Sequence, residues 1–252
     1  MGDCISPGPK PGVSEASQTA IVTGAGRGIG RATAIALARA GFRLALVSRS
    51  RDELEETALQ VHQEGSSALV LPADVADESA VIGVFSRIRD DWGSLSVLVN
   101  NAGWARFSML ASTSLEDWNR ILAVNLTGTF LCSREAIPLM DAAGAGVIVN
   151  IASSAGKKGY LRQRAFTAAK HGVMGLTKVL AMELQERRIR VHAVCPGGVA
   201  TRMSEEIHTD RDQSDWMQPE DIAEVVRFLV SQPPHLTIDE VVVRRFASSV
   251  MS

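Results

Sequence analysis

The residues best placed to do chemistry lie between Asn150 and Lys170. Asn-Ile-Ala-Ser-Ser-Ala-Gly closes a short β-branched run, and Phe-Thr-Ala-Ala-Lys follows after a loop. Val147 to Ile151, bounded by Gly146 and by Ser153-Ser154, reads as a buried strand. From Arg164 the period changes. Phe166, Ala169, Val173, Leu176, Leu180 and Leu184 recur at helical spacing. Phe166 and Lys170 therefore share one side of that helix. A hydroxyl at a strand end facing a lysine ammonium on the next helix can handle protons. The same pattern is also an ordinary strand–loop–helix connection, and alone it decides nothing.

A second constellation is Thr23-Gly24-Ala-Gly-Arg27-Gly28-Ile29-Gly30, set between a strand-like Thr19–Val22 and an alanine-rich helix expected over Arg31–Arg39. Gly24, Gly28 and Gly30 allow a tight turn and let backbone N–H groups approach a pyrophosphate at a helix N-terminus. The spacing is Gly-x-x-x-Gly-x-Gly, and its context makes it a dinucleotide site. In such folds a carboxylate ending the second strand binds the adenosine ribose, whereas an arginine accommodates a 2′-phosphate. This chain has Ser48-Arg49 there, with Arg27 inside the glycine turn. Guanidinium suits phosphate by its planar fork of donors, so the expected cofactor is NADP(H).

The elements that must position these groups alternate along the chain. Strands are expected at Phe42–Val47, Ala68–Leu71, Val97–Val99, Arg190–Val194 and Glu240–Val243. Helices are expected at Asp52–Gln63, Glu78–Asp91, Leu115–Ala136 and Glu220–Val230. Strict alternation implies an α/β fold: a Rossmann-type doubly wound parallel sheet with helices on both faces, in a single domain over 18–252. Ligands bind such sheets at the carboxyl ends of the strands, near the switch in strand order. Every Gly-, Asn- or Ser-rich turn here follows a strand, so all converge on that edge.

Composition narrows the partners. The chain has 252 residues, 46% of them apolar, enough for a sizeable core. A net charge of −2 and a pI near 6.2 argue against nucleic acid and anionic membrane as partners. No apolar run approaches the roughly 20 residues that span a bilayer. Residues 1–17, with Pro7, Pro9 and Pro11, lack the pattern of a secretory signal and read as a disordered leader. Cys4, Cys132 and Cys195 are too few and scattered for a disulfide framework or a metal site, which suits the cytoplasm.

Thr23-Gly-x-x-x-Gly-Ile-Gly30, Asp74-Val75, Asn100-Asn101-Ala102-Gly103, Asn125 in Val-Asn-Leu-Thr-Gly, Ser153, Lys170 and Pro196-Gly197 together resemble the short-chain dehydrogenase/reductase family, over about Thr19 to Val243. The nearest functional resemblance is to β-ketoacyl carrier-protein reductases and general ketone reductases. It implies that Asp74 and Val75 flank the adenine and that Asn100, Ala102 and Gly103 line the adenosine side. It implies that Pro196 to Thr201 holds the nicotinamide, with Val199 and Thr201 near the carboxamide. The implied catalytic set is Asn125, Ser153, position 166 and Lys170, for a carbonyl or secondary-alcohol substrate. Ser153, not Ser154, keeps the family's interval to position 166. The resemblance also implies a homodimer or homotetramer, formed through the Leu115–Ala136 helix and the helix carrying Lys170.

Position 166 departs from the pattern: the family has Tyr-x-x-x-Lys, and this chain has Phe166-Thr-Ala-Ala-Lys170. As hydride reaches a carbonyl carbon, its oxygen needs a proton, which the tyrosine supplies with its pKa lowered by the lysine. Phenylalanine keeps the ring and loses the proton. Either the chain is a reductase of low activity, or it is a silent NADP(H)-binding scaffold or sensor. Tyr160, in the loop, and an ordered water are the stand-ins that remain. His171 and His192 are expected to be structural, and Cys195 a small buried apolar residue. Trp104, Arg106 and Phe107 are expected at the substrate mouth, and Met203–Trp216 as an insert where relatives carry a lid.

Overall fold

A computed structural model describes residues 18–207 and 215–248; the leader, Cys4 and the middle of the Met203–Trp216 insert lie outside the described residues. Seven parallel strands form one sheet in the order β3-β2-β1-β4-β5-β6-β7. They are β1 (Thr19–Thr23), β2 (Arg43–Ser48), β3 (Ala68–Pro72), β4 (Val97–Asn100), β5 (Gly146–Ile151), β6 (Ile189–Pro196) and β7 (Glu240–Val243). β1, β4 and β5 are buried along their whole length, as a sheet covered on both faces requires. Alternation within a strand sends neighbours into different cores: Ala20 and Val22 face one, Ile21 the other.

The first core packs under helices α1 (Gly28–Arg39), α2 (Arg51–Gln63) and α8 (Pro219–Val230). The second packs under α3 (Glu78–Trp92), α5 (Gly128–Ala143) and the end of α6 (Arg164–Glu183). Between β4 and α5 run α4 (Leu115–Leu122) and a π-helical segment, Ala123–Thr127. A short helix α7 (Arg202–Ile207) follows β6. Among the described residues no helix is long and apolar enough to cross a membrane.

Two helix boundaries differ from the sequence expectation. α1 begins at Gly28, not Arg31, because the glycine turn is itself the first turn of the helix. The expected Leu115–Ala136 helix is α4, the π segment and α5 in succession, and it passes Pro138 to end at Gly144 in a left-handed conformation, φ 74°. Proline removes one N–H from the ladder. Leu139 and Met140, buried in the second core beyond it, carry the helix on.

Candidate active site

The strand order reverses between β1 and β4, and the turns that follow those two strands lock together there. The Thr23 hydroxyl donates to the Val99 carbonyl and accepts from the N–H groups of Asn101 and Ala102. The Asn101 amide returns the contact, donating to the carbonyls of Thr23 at 2.9 Å and Gly24 at 3.3 Å. A Cβ on Gly30 would lie 2.1 Å from the Gly24 carbonyl oxygen, so only glycine lets the helix start so close to the strand end. From α2 the Thr57 hydroxyl donates to the Ala25 carbonyl, and from α1 Arg31 donates to that of Gly26. The turn is therefore a braced cradle of backbone N–H groups at the start of α1, and it fits a bound phosphate. Asn101, Arg31 and Thr57 were not singled out from sequence, although Asn101 lies inside a motif that was.

Around the rim, Arg27 is half exposed and its guanidinium meets the Glu53 carboxylate at 3.3 Å. A Cβ on Gly26 would touch both Glu53 and the Ser48 hydroxyl. Arg49 is exposed, and its charge acts on Asp74. Ile29 packs against the first core from the turn.

Two residues expected to face a cofactor have side chains occupied inside the protein. Asn100 is buried, donating to the Ser133 hydroxyl at 3.0 Å and the Asn150 amide oxygen at 2.9 Å. The Asn150 amide donates in turn to Thr177 on α6. Asp74 accepts from the Ala76 N–H at 3.0 Å and from Arg120 of α4 at 2.7 Å. Burial pushes the Asp74 carboxyl up, but those two partners outweigh it and hold it below the usual carboxylate range. Any contribution of Asn100 to a ligand thus comes from its backbone. Val75 is buried under Gly128 of α5.

Beyond β6, the Gly197 N–H bonds the Val243 carbonyl and Val199 bridges to Met217. Val199 is buried in the first core, so its side chain too is turned inward. Thr201 and Ser204 exchange hydrogen bonds at the start of α7, and the Thr201 methyl approaches Gly28. Pro196 to Thr201 therefore runs from the end of β6 to the glycine turn.

A second group gathers at the end of β5. Ser153 lies just past the strand, capping the turn Ser154–Gly156, and its hydroxyl accepts from the Ala155 N–H at 3.0 Å. Lys170, only 5% exposed, donates to the Ile151 carbonyl at 2.8 Å. Burial is the larger influence on it and lowers its pKa from 10.5 to about 8. Its ammonium lies 5.5 Å from the centre of the Phe166 ring, which meets Phe107 at 5.9 Å. Trp104 and Trp118 pack on the same cluster. Asn125 is fully buried in the π segment, its amide donating to the carbonyls of Trp104 at 2.6 Å and Ile121 at 2.9 Å. The sequence therefore brings Ser153, Phe166 and Lys170 to one place, with Asn125 behind Gly103.

Other groups lie elsewhere. The Tyr160 hydroxyl donates to Ser154, not Ser153. His171 is exposed against the Thr167 carbonyl, and His192 is buried in β6 against Ile238. Burial raises the Cys195 thiol and pushes that of Cys132 up to about 12, so neither is a thiolate nucleophile near neutral pH. Arg106 pairs with Asp117 at 3.2 Å. Among the described residues no cluster could hold a metal ion.

Comparison with known proteins agrees with this geometry. The family model for short chain dehydrogenases matches residues 18–212. A 3-oxoacyl-[acyl-carrier-protein] reductase of Synechocystis sp. is 38% identical over 223 residues, 86% of this chain and 90% of that protein. Among solved structures, a metagenomic short-chain oxidoreductase in complex with NADP aligns with a TM-score of 0.81 at 34% identity, over 93% of this chain and 100% of that one. An alcohol dehydrogenase from Thermococcus sibiricus, complexed with 5-hydroxy-NADP, aligns with a TM-score of 0.86 at 27% identity, over 92% and 98%.

Proposed function

This chain belongs to the short-chain dehydrogenase family, and from that premise we propose that it is an NADP(H)-dependent oxidoreductase acting between a carbonyl and a secondary alcohol, with proton delivery impaired at Phe166. NADPH, when bound, supplies the hydride. The glycine turn of Thr23 to Gly30 would hold the pyrophosphate, and Arg27, Ser48 and Arg49 the adenosine phosphate. Asp74, Val75, Ala102, Gly103 and the Asn100 backbone would line the adenosine, and Pro196 to Thr201 the nicotinamide. The substrate class is that of 3-oxoacyl and general ketone reductases, as in the Synechocystis relative.

The observation that carries the reading is the buried Lys170 ammonium standing beside a phenyl ring at the end of β5. Ser153 can give a substrate oxygen a hydrogen bond. Lys170 can hold positive charge near it. Phe166 has no proton to give, and a positioned acid is worth about 10²–10⁴-fold in rate. NADPH consumption with a panel of ketones should therefore be slow, and should rise by about that factor in Phe166→Tyr. Fast turnover by the chain as it stands, unchanged in Phe166→Tyr, would sink the reading. A preformed N-methyl iminium needs no proton, so its reduction should differ little between the two proteins.

The packing of Phe166 on Phe107 supports a second reading, a catalytically silent NADP(H)-binding scaffold or sensor. It is separated from the first by tight NADPH binding with no turnover of ketone or iminium. Exposed Leu115, Phe130, Val179 and Met182 on α4 to α6 support a homodimer or homotetramer through those helices.

A further inference from the structure

Glu53 offers an ion-pairing group that the proposed chemistry does not use. It stands at the third position of α2, after Ser50, whose hydroxyl accepts from the Glu53 N–H. Ser-x-x-Glu has the sequence form of a capping box, in which the glutamate turns back on the cap's own N–H. Here the carboxylate goes elsewhere. Its Oε1 meets Arg27 Nη1 at 3.3 Å and Arg202 Nη1 at 3.8 Å. A Cβ on Gly26 would lie 3.0 Å from Glu53 Oε2 and 3.1 Å from Ser48 Oγ. One carboxylate thus sits among Arg27 and Ser48, two of the three groups assigned to the cofactor's 2′-phosphate.

We propose that Glu53 is a stand-in anion: in the free protein it occupies the 2′-phosphate site, and NADP(H) binds by displacing it. The proposal rests on the reading of Arg27, Ser48 and Arg49 as the phosphate site. A carboxylate and a phosphate cannot share that site without like-charge repulsion, so Glu53 must rotate out as the phosphate enters. The exchange frees Arg27 for the phosphate. It also breaks the contact between Glu53 and Arg202, the first residue of α7, and so joins cofactor entry to the segment after β6. Glu53 is then a specificity residue. It taxes the phosphorylated cofactor, keeps the empty site neutralised, and leaves NAD(H) almost unaffected.

The test is equilibrium binding of NADPH, NADH and adenosine 2′-monophosphate to the full chain and to Glu53→Gln, followed by cofactor fluorescence or calorimetry. Removing a like charge at this distance near the surface should tighten NADPH and the monophosphate on the order of tenfold, with NADH changing about twofold or less. Glu53→Asp, which keeps the charge on a shorter stem, should tighten them less than Glu53→Gln. An unchanged or weakened NADPH affinity in Glu53→Gln, or an equal change for NADPH and NADH, overturns the exchange. Unchanged NADH binding in each variant also reports that its fold is intact. The underlying reading fails differently. If Arg27→Ala and Arg49→Ala both leave the NADPH-to-NADH ratio unchanged, the phosphate assignment falls and the exchange falls with it. If either arginine sets that ratio while Glu53→Gln does not move it, the exchange alone falls.

Discussion

At the scale of single residues the most demanding position is Gly30. A methyl there would lie 2.1 Å from the Gly24 carbonyl oxygen and 2.5 Å from the Asn101 amide nitrogen. Neither neighbour can retreat cheaply, because Asn101 is tied to the backbone of β1 on the far side of the switch point. Forcing atoms into packed space costs about 1–3 kcal/mol. Gly30→Ala should therefore lower the melting temperature by roughly 2–12 °C, at about 2–4 °C per kcal/mol for a chain of this size. It should also remove most NADPH binding, since the clash falls on the N–H groups that would face phosphate. Gly83, in the open on α3, is the contrast: alanine there meets nothing within 4 Å and relieves a helix of a poor former. Thermal melts of the two variants should move in opposite directions. A Gly30→Ala protein as stable as the parent would show that the turn can open at no cost.

The elements show what was legible in the sequence and what was not. The central strands were, because β1, β4 and β5 are apolar runs closed by Gly, Asn or Ser, as burial on both faces requires; β3 and β7, at the edges of the sheet, are only partly buried. The convergence of the strands' turns on one edge puts Ser153, Lys170 and the glycine turn on the same edge of the sheet. Three things were hidden. The start of α1 at Gly28 runs against glycine's helix propensity and is fixed by the Asn101 and Thr57 contacts from outside the segment. The inward turn of Asn100 depends on Ser133 and Asn150, from separate elements. The π segment Ala123–Thr127 has no sequence signature. It matters because its extra residue turns Asn125 so that one amide satisfies two carbonyls. Asn125→Leu should leave the Trp104 carbonyl without its donor, at about 1–3 kcal/mol for a buried group. The expected result is a melting temperature lower by several degrees and a looser Trp104, read as a red-shifted or quenched tryptophan emission. An unchanged melt would mean that water replaces the amide and that the segment is not held by this side chain.

For the whole molecule, the site is a standing cost to stability, and Lys170 is its clearest term. The lysine is buried, and its pKa falls from 10.5 in the unfolded chain to about 8 in the fold. Between those two values the unfolded chain binds the extra proton and the folded one does not, so stability rises with pH across that interval. Above 10.5 both states are neutral and the penalty is gone. Below about 8 both are charged, and the fold bears the whole cost of a buried ammonium, on the order of 3 kcal/mol at 1.36 kcal/mol per pH unit. His192 follows the same sign at lower pH. Burial lowers its pKa below 6.5, and stability falls as the pH drops below that value. Lys170→Met keeps the stem's apolar contacts and deletes the charge. Its unfolding free energy in urea should exceed the parent's by a few kcal/mol at pH 7, and the two should converge as the pH rises from 8 to 10.5. Using the difference between the two proteins cancels the other groups that titrate in that range. If the gap stays constant with pH, the ammonium is solvated in the fold and titrates as it does in the unfolded chain. If it closes as described, the chain gives up stability to hold a cation beside Phe166, where no phenol is present to profit from it. If that cation serves a bound cofactor instead, NADPH should stabilise the parent more than Lys170→Met.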